Sequence, residues 1–187
     1  VDAIIHLVRC FESEKITHVN SNINPVEDLE TIKTEIILSD IDIVQKKLEK
    51  GKKKLLEEKQ IKILEEKLNQ LNEGKEISVK GVNEKKFLSS LGLLSIKPKI
   101  IVCNVDEESL ANGNAFTEEV KKKYSNEKVV TICADIEDQI MGLDNSERET
   151  FMKEIGLNKT GLNQLIKEGY ELLNLDTFFT SGPEESR

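Results

Sequence analysis

A chain of 187 residues, 37% hydrophobic and 33% charged, is long enough for one medium domain or for a domain carrying an insertion. Its formal net charge of −8 argues against phosphate-backbone binding by the whole surface, so DNA is not an expected partner, although a local basic patch stays open. The longest apolar run, AIIHLV, is far too short to span a bilayer, no signal-peptide pattern opens the chain, and no membrane partner is expected. The three cysteines, Cys10, Cys103 and Cys133, are widely spaced and each follows an apolar run, which reads as buried thiols in a reducing compartment.

Val1 to Cys10 reads as a buried strand, rich in Ile, Leu and Val, and the chain opens as though already inside it, as an internal piece of a longer protein would. His6 within that run is expected to be a core imidazole rather than a ligand. NSNINP, Asn20 to Pro25, is a turn cluster, with Pro25 suited to the first turn of a helix. From Val26 the period becomes helical: Ile37, Ile41, Val44 and Leu48 fall on one stripe. A second stripe runs through Ile61, Leu64, Leu68 and Leu71. Between them the chain breaks at Gly51, and Gly74 ends the second stripe. Two narrow stripes with Glu and Lys flanks predict an antiparallel helical hairpin, closer to a projecting coiled coil than to a buried bundle.

Beyond Gly74 a short helix is expected over Val82 to Leu94, then a strand in KPKIIVCN. A helix from about Thr117 to Tyr124 and a strand in KVVTICA follow. SERETFMKEIGL reads as a helix with Ser146 as N-cap and Glu149 completing a capping box, and TGLNQLIKEGYELLNL as another. The order predicts an α/β protein with a mostly parallel sheet flanked by helices, interrupted by the helical hairpin. The expected boundaries are 1–22 for the first strand and loop, 23–97 for the helical insertion, 98–176 for the remaining α/β part, and 177–187 for the start of something new.

Ligands of open α/β sheets bind at the carboxyl ends of the strands, which points to CNVDEE after Cys103 and to CADIED after Cys133. The amide of Asn104 carries a donor and an acceptor and can pair with a purine edge; the carboxylate of Glu107, three residues on, only accepts. Asn and acidic residues also cap helices, so spacing leaves the turn open between capping and base reading. The lysines at the hairpin tip, Lys46, Lys47, Lys50, Lys52, Lys53 and Lys54, are equally open between a solvated arm and a docking surface. In the second reading each exposed phosphate contact contributes about 1 kcal/mol or less. No G-x-x-x-x-G-K-[ST] phosphate cradle occurs in these residues.

The run VDAIIHLVRCFESEKITHVNSNINPVEDLETIKTEIILSDI closely resembles the segment that follows switch II in the Obg-like ATPases of the YchF type, P-loop proteins of the translation-factor class. The similarity resumes with KPKIIVCNVDE and GLNQLIKEGYELLNLDTFF, and FFTSGPEESR is similar to the opening of that family's TGS domain. The resemblance implies a G domain interrupted by a coiled-coil arm, ATP binding as good as or better than GTP binding, Mg2+-dependent hydrolysis in the intact protein, a ribosomal partner and a cytoplasmic location. Most relatives read the base with N-K-x-D, which here is NVDE, Val105 replacing Lys and Glu107 replacing Asp. Asn104 is then expected at the purine edge and Val105 against the base through its backbone. Glu107 is expected to weaken guanine selection, since one added methylene disturbs paired hydrogen bonds to guanine. Cys133, Ala134 and Asp135 occupy the second base-side loop, usually Ser-Ala, so Cys133 departs from the pattern. The family's phosphate, magnesium and switch residues precede the segment matched by Val1. The resemblance therefore implies a fragment without turnover of its own. The alternative is a non-enzymatic module in which the coiled coil is the active surface and the α/β part is scaffold.

Overall fold

The computed structural model describes residues 1–13, 23–51 and 56–178. Lys52, Lys53 and Lys54, and nearly all of the expected TGS opening, lie outside the described residues. The chain divides into two compact units, Val1–Pro25 with Pro98–Arg187, and Val26–Lys97.

In the first unit β1 (Ile4–Arg9), β2 (Lys99–Asn104) and β3 (Lys128–Ile132) form a parallel sheet in the order β1-β2-β3. Ile5 is opposite Ile100, Leu7 opposite Val102, and Val102 opposite Val130. The central strand is buried without a break from Ile100 to Cys103, as expected of a parallel strand covered on both faces. On one face Ile100, Val102 and Val130 pack with Ile132 and with Leu165 and Leu172 of α7 (Gly161–Leu173).

Helix α7 runs antiparallel to the strands. Its first residue, Gly161, lies so close to Ile132 that a Cβ there would come within 2.6 Å of the Ile132 side chain. Toward its other end Glu168 and Glu171 pair with Lys128, at the start of β3, at 2.6 and 3.3 Å.

His6, Val8 and Cys10 are buried, and all three cysteines are free and buried. The expectation of a wholly buried first strand is corrected by Ile5 and Leu7. They point to the face that α7 covers over β2 and β3, yet remain 54% and 57% exposed.

The connection between β1 and β2 carries the second unit. It contains α1 (Pro25–Lys50), α2 (Glu58–Asn72) and α3 (Gly81–Ser90). Both sequence stripes are used: Ile37, Val44, Leu48, Leu64 and Leu71 are buried in one core, with Ile41, Ile61 and Leu68 packed against it. Ile37, Leu38 and Ile41 share a cavity wall with Leu71, Asn72 and Gly74, so the two helices run antiparallel. The unit is larger than a two-helix hairpin, because Ile77, Leu88 and Leu93 complete the same core. Two charged side chains, both 0% exposed, tie α3 and the segment that follows it in place. The Asp40 carboxylate of α1 accepts the N–H groups of Leu94 and Ser95 at 2.9 and 2.8 Å. The Lys67 ammonium of α2 meets Glu84 of α3 at 2.7 Å and Glu66 at 3.4 Å.

The remaining helices, α4 (Ala115–Lys123), α5 (Ala134–Gly142) and α6 (Asn145–Glu154), differ from the sequence expectation at their starts. Helix α4 begins two residues early because Asn114 caps it, accepting the Thr117 N–H at 3.0 Å. Helix α6 is capped by Asp144, which accepts the N–H groups of Ser146 and Glu147 at 2.9 Å each, with Glu147 closing the capping box in place of Glu149. Helix α5 starts at Ala134, where the sequence reads as a loop.

Glu84→Ala leaves the buried Lys67 ammonium without its closer counter-charge and is expected to destabilise the helical unit by about 3 kcal/mol in urea unfolding, whereas Lys67→Met with Glu84→Leu is expected to be close to neutral. Glu66 is held below its ordinary value of 4.5, chiefly by its hydrogen bond from Lys80 and then by the Lys67 charge. Its contribution to stability is therefore present above pH 4.5 and is lost as the pH falls through its lowered folded value. Acid titration of the helical circular dichroism is expected to show that loss, and Glu66→Gln to flatten it.

Candidate functional site

Three chain segments leave the carboxyl ends of the strands together: Cys10–Phe11 after β1, Val105–Glu108 after β2 and Cys133–Asp135 after β3. They are joined by short bonds across the strand ends. Cys10 donates its N–H to the Asn104 carbonyl at 2.7 Å, and Val105 donates to the Ile132 carbonyl at 2.8 Å. The Asn114 side chain donates to the Cys10 carbonyl at 2.7 Å, so the cap of α4 also pins the end of β1.

These segments border a cavity of about 520 Å³ lined by Phe11, Asn104, Val105, Asp106, Glu107, Glu108 and Asp135. That is room for a purine. Four of the expected base-side residues, Asn104, Val105, Glu107 and Asp135, line it; Cys133 and Ala134 do not.

Asn104 has a second task. Cys133 sits at the N-cap of α5 with its thiol beside the Asp135 and Ile136 N–H groups, and the Asn104 Oδ1 accepts the Ala134 N–H at 2.9 Å. This crossed cap holds the amide by one lone pair of its oxygen, and Asn104 offers a ligand its Nδ2 donor together with the second lone pair of Oδ1. The N–H of Val105 is likewise committed, to Ile132, and its side chain is buried. Glu107 is exposed, and its Oε1 accepts from the Gln139 amide of α5 at 3.3 Å. The Cys133 thiol is pushed above its ordinary value of 9.0, chiefly by burial and also by the charges of Asp135 and Glu107, so it is neutral at physiological pH. Cys103, at the base of the turn, is held below that value mainly by a hydrogen bond with Cys10.

Phe11 is absent from the sequence expectation. It stands one residue past the buried Cys10, at a strand's carboxyl end, and the rule that singled out Asn104 and Cys133 would have found it. Arg9 holds it in place: the guanidinium lies 4.9 Å from the ring centroid and donates to the carbonyls of Phe11 and Ser13 at 3.0 and 3.3 Å. Gln139 and Asn114 carry no spacing signal and are identified only by their bonds.

The lysines expected at the hairpin tip belong to the other unit. Lys46 and Lys50 are exposed and Lys47 is half-buried, all near the carboxyl end of α1, where positive charge complements the helix dipole. Among the described residues no group of three or more His, Cys, Asp or Glu side chains is arranged to hold a metal ion. No described helix is long and apolar enough to cross a membrane.

A parallel α/β sheet with a cavity at its carboxyl edge is the arrangement in which open α/β folds hold their ligands. No family model matches the chain. The ribosome-binding ATPase YchF of Escherichia coli O157:H7 is 39% identical to it over 197 residues, covering 100% of this chain and 53% of that protein. The ribosome-binding ATPase YchF of Bacillus subtilis is 37% identical over 198 residues, covering 100% and 54%. The solved structure of the Schizosaccharomyces pombe YchF GTPase superposes with a TM-score of 0.85 at 27% identity, covering 100% of this chain and 54% of that one. The chain is thus a homologue of YchF over its whole length, and it spans about half the length of the curated relatives it matches.

Asn104→Ala is expected to lower stability by about 1 kcal/mol through loss of the cap on α5, while Asn104→Asp retains the acceptor and the stability. Thermal unfolding of the two variants separates the capping task from any ligand contact.

Proposed function

We propose that this chain is the purine-reading part of a YchF-type, ribosome-associated ATPase. The observation that carries the reading is the cavity of about 520 Å³ at the strand ends, bounded by the Phe11 ring, the Asn104 amide and an acidic rim. The flat Phe11 ring supplies an apolar wall for either purine. The Asn104 Nδ2 donates to an acceptor nitrogen of the base. Glu107, Asp135 and their neighbours accept from an exocyclic amine, which adenine presents. Guanine needs two adjacent acceptors, and Glu107, one methylene longer than the Asp of N-K-x-D and bonded to Gln139, is not placed to offer a matched pair.

In this reading residues 1–22 and 98–176 are the carboxyl-terminal part of the G domain, 23–97 its helical insertion, and 177–187 the start of the TGS domain. Phosphate and magnesium contacts, and with them hydrolysis, come from residues outside these 187. The fragment alone is expected to hold nucleotide weakly and not to turn it over. In the cytoplasm the helical unit meets the ribosome, with Lys46, Lys47, Lys50, Lys52, Lys53 and Lys54 toward RNA phosphate. Support for that part comes from the relatives, named ribosome-binding ATPases, and from the exposure of Lys46 and Lys50.

Two measurements on the full-length protein test the two halves of the reading. Phe11→Ala is expected to weaken ATP and GTP alike, by roughly tenfold for a lost stacking contact of about 1–3 kcal/mol; unchanged affinities would remove the base from this cavity. Replacing Lys46, Lys47 and Lys50 by Gln is expected to reduce ribosome co-sedimentation and flatten its salt dependence. Equal binding would return the lysines to the role of a solvated surface.

A further inference from the structure

The base-reading turn is held to one helix at both of its recognition residues. At its start Asn104 Oδ1 accepts the Ala134 N–H at 2.9 Å. Three residues on, Glu107 Oε1 accepts from Gln139 Nε2 at 3.3 Å. Ala134 is the first residue of α5, and Gln139 lies in its second turn. The first bond caps a helix through an amide oxygen that keeps a second lone pair. The second engages an oxygen of the carboxylate on which guanine discrimination depends.

We propose that Gln139 is a positioning residue that sets purine selectivity: by bonding Glu107 Oε1 it fixes the carboxylate against α5 and denies guanine a matched pair of acceptors. This rests on the purine site described above. Guanine presents two adjacent donors, N1–H and the exocyclic amine, and gains most from a carboxylate that turns both oxygens toward them. Adenine presents one exocyclic amine beside an acceptor nitrogen and is served by a single oxygen. A carboxylate tethered through Oε1 therefore costs guanine more than adenine. Glu107 and Gln139 are both exposed, so the tether acts through the carboxylate's orientation and contributes little to the stability of the fold.

The test measures affinities for fluorescent ATP and GTP analogues in the full-length protein carrying Gln139→Leu, which removes the donor at an exposed helix position. The GTP-to-ATP affinity ratio is expected to rise roughly three- to tenfold, as for gain of one charge-assisted hydrogen bond at a partly solvated site. The melting temperature is expected to stay unchanged. In a Glu107→Ala background the same substitution is expected to have no effect on the ratio, since the group it positions is gone. An unchanged ratio in the Gln139→Leu protein overturns the proposal, and so does an equal shift with Glu107 absent. Asn104→Asp separates the failure of the underlying site: if it leaves both affinities untouched, the purine is not read here and both inferences fall.

Discussion

Parallel pairing of β2 with a neighbour on each side is the constraint from which the rest of the sheet unit follows. In a parallel sheet all carboxyl ends lie along one edge, so residues more than ninety positions apart in the chain, Phe11 and Asn104, arrive side by side. The edge is then locked by backbone bonds that extend the ladder past the strands, Cys10 to Asn104 and Val105 to Ile132. A cavity wall built this way inherits the rigidity of the sheet. The side chains that must move least, Phe11 and Asn104, are the ones placed directly on the strand ends. Glu107 stands further out on the turn, where its Oε1 accepts from Gln139 of α5 at 3.3 Å.

The helical unit solves a different problem with the same economy of parts. Its apolar stripes are narrow, and two helices alone would leave their flanks open. Closure is achieved with α3 and with two buried charges rather than with additional leucines: Asp40 stands in for missing backbone acceptors at Leu94 and Ser95, and Lys67 is neutralised by Glu84. Such pairs add little net stability over a well-packed apolar contact, but they penalise any other register of α3 against α2. The unit is thereby given one arrangement of its helices.

What was legible in the sequence was what repeats. The helical period survives in Ile37 to Leu48 and in Ile61 to Leu71, KIIVC is an unbroken apolar run, and the structure uses each of these stretches as expected. The position of Asn104 and Cys133 at strand ends was legible for the same reason. What escaped depends on contacts distant in the chain. Lys67 reads as one more charge on a polar face until Glu84 is placed beside it. Ala134 reads as loop because its helix is capped by Asn104, thirty residues earlier, instead of by the residue before it. Asp144 and Ser146 are both good caps by type, and only the bonds decide between them. The family resemblance gave NVDE the reading proposed above, yet gave no hint that the Val105 N–H is spent on Ile132 or that Glu107 is bonded to Gln139.

The exposure of Ile5 and Leu7 has a consequence for handling the protein. Among the described residues β1 is an edge strand of six residues, and it shows two large aliphatic side chains to water. Parallel strands are ordinarily sheathed on both faces, and an uncovered apolar edge invites a further strand from any source. Two such side chains on one strand favour self-association as the concentration rises, so the colloidal behaviour of the polypeptide becomes a property of one strand rather than of the acidic surface as a whole.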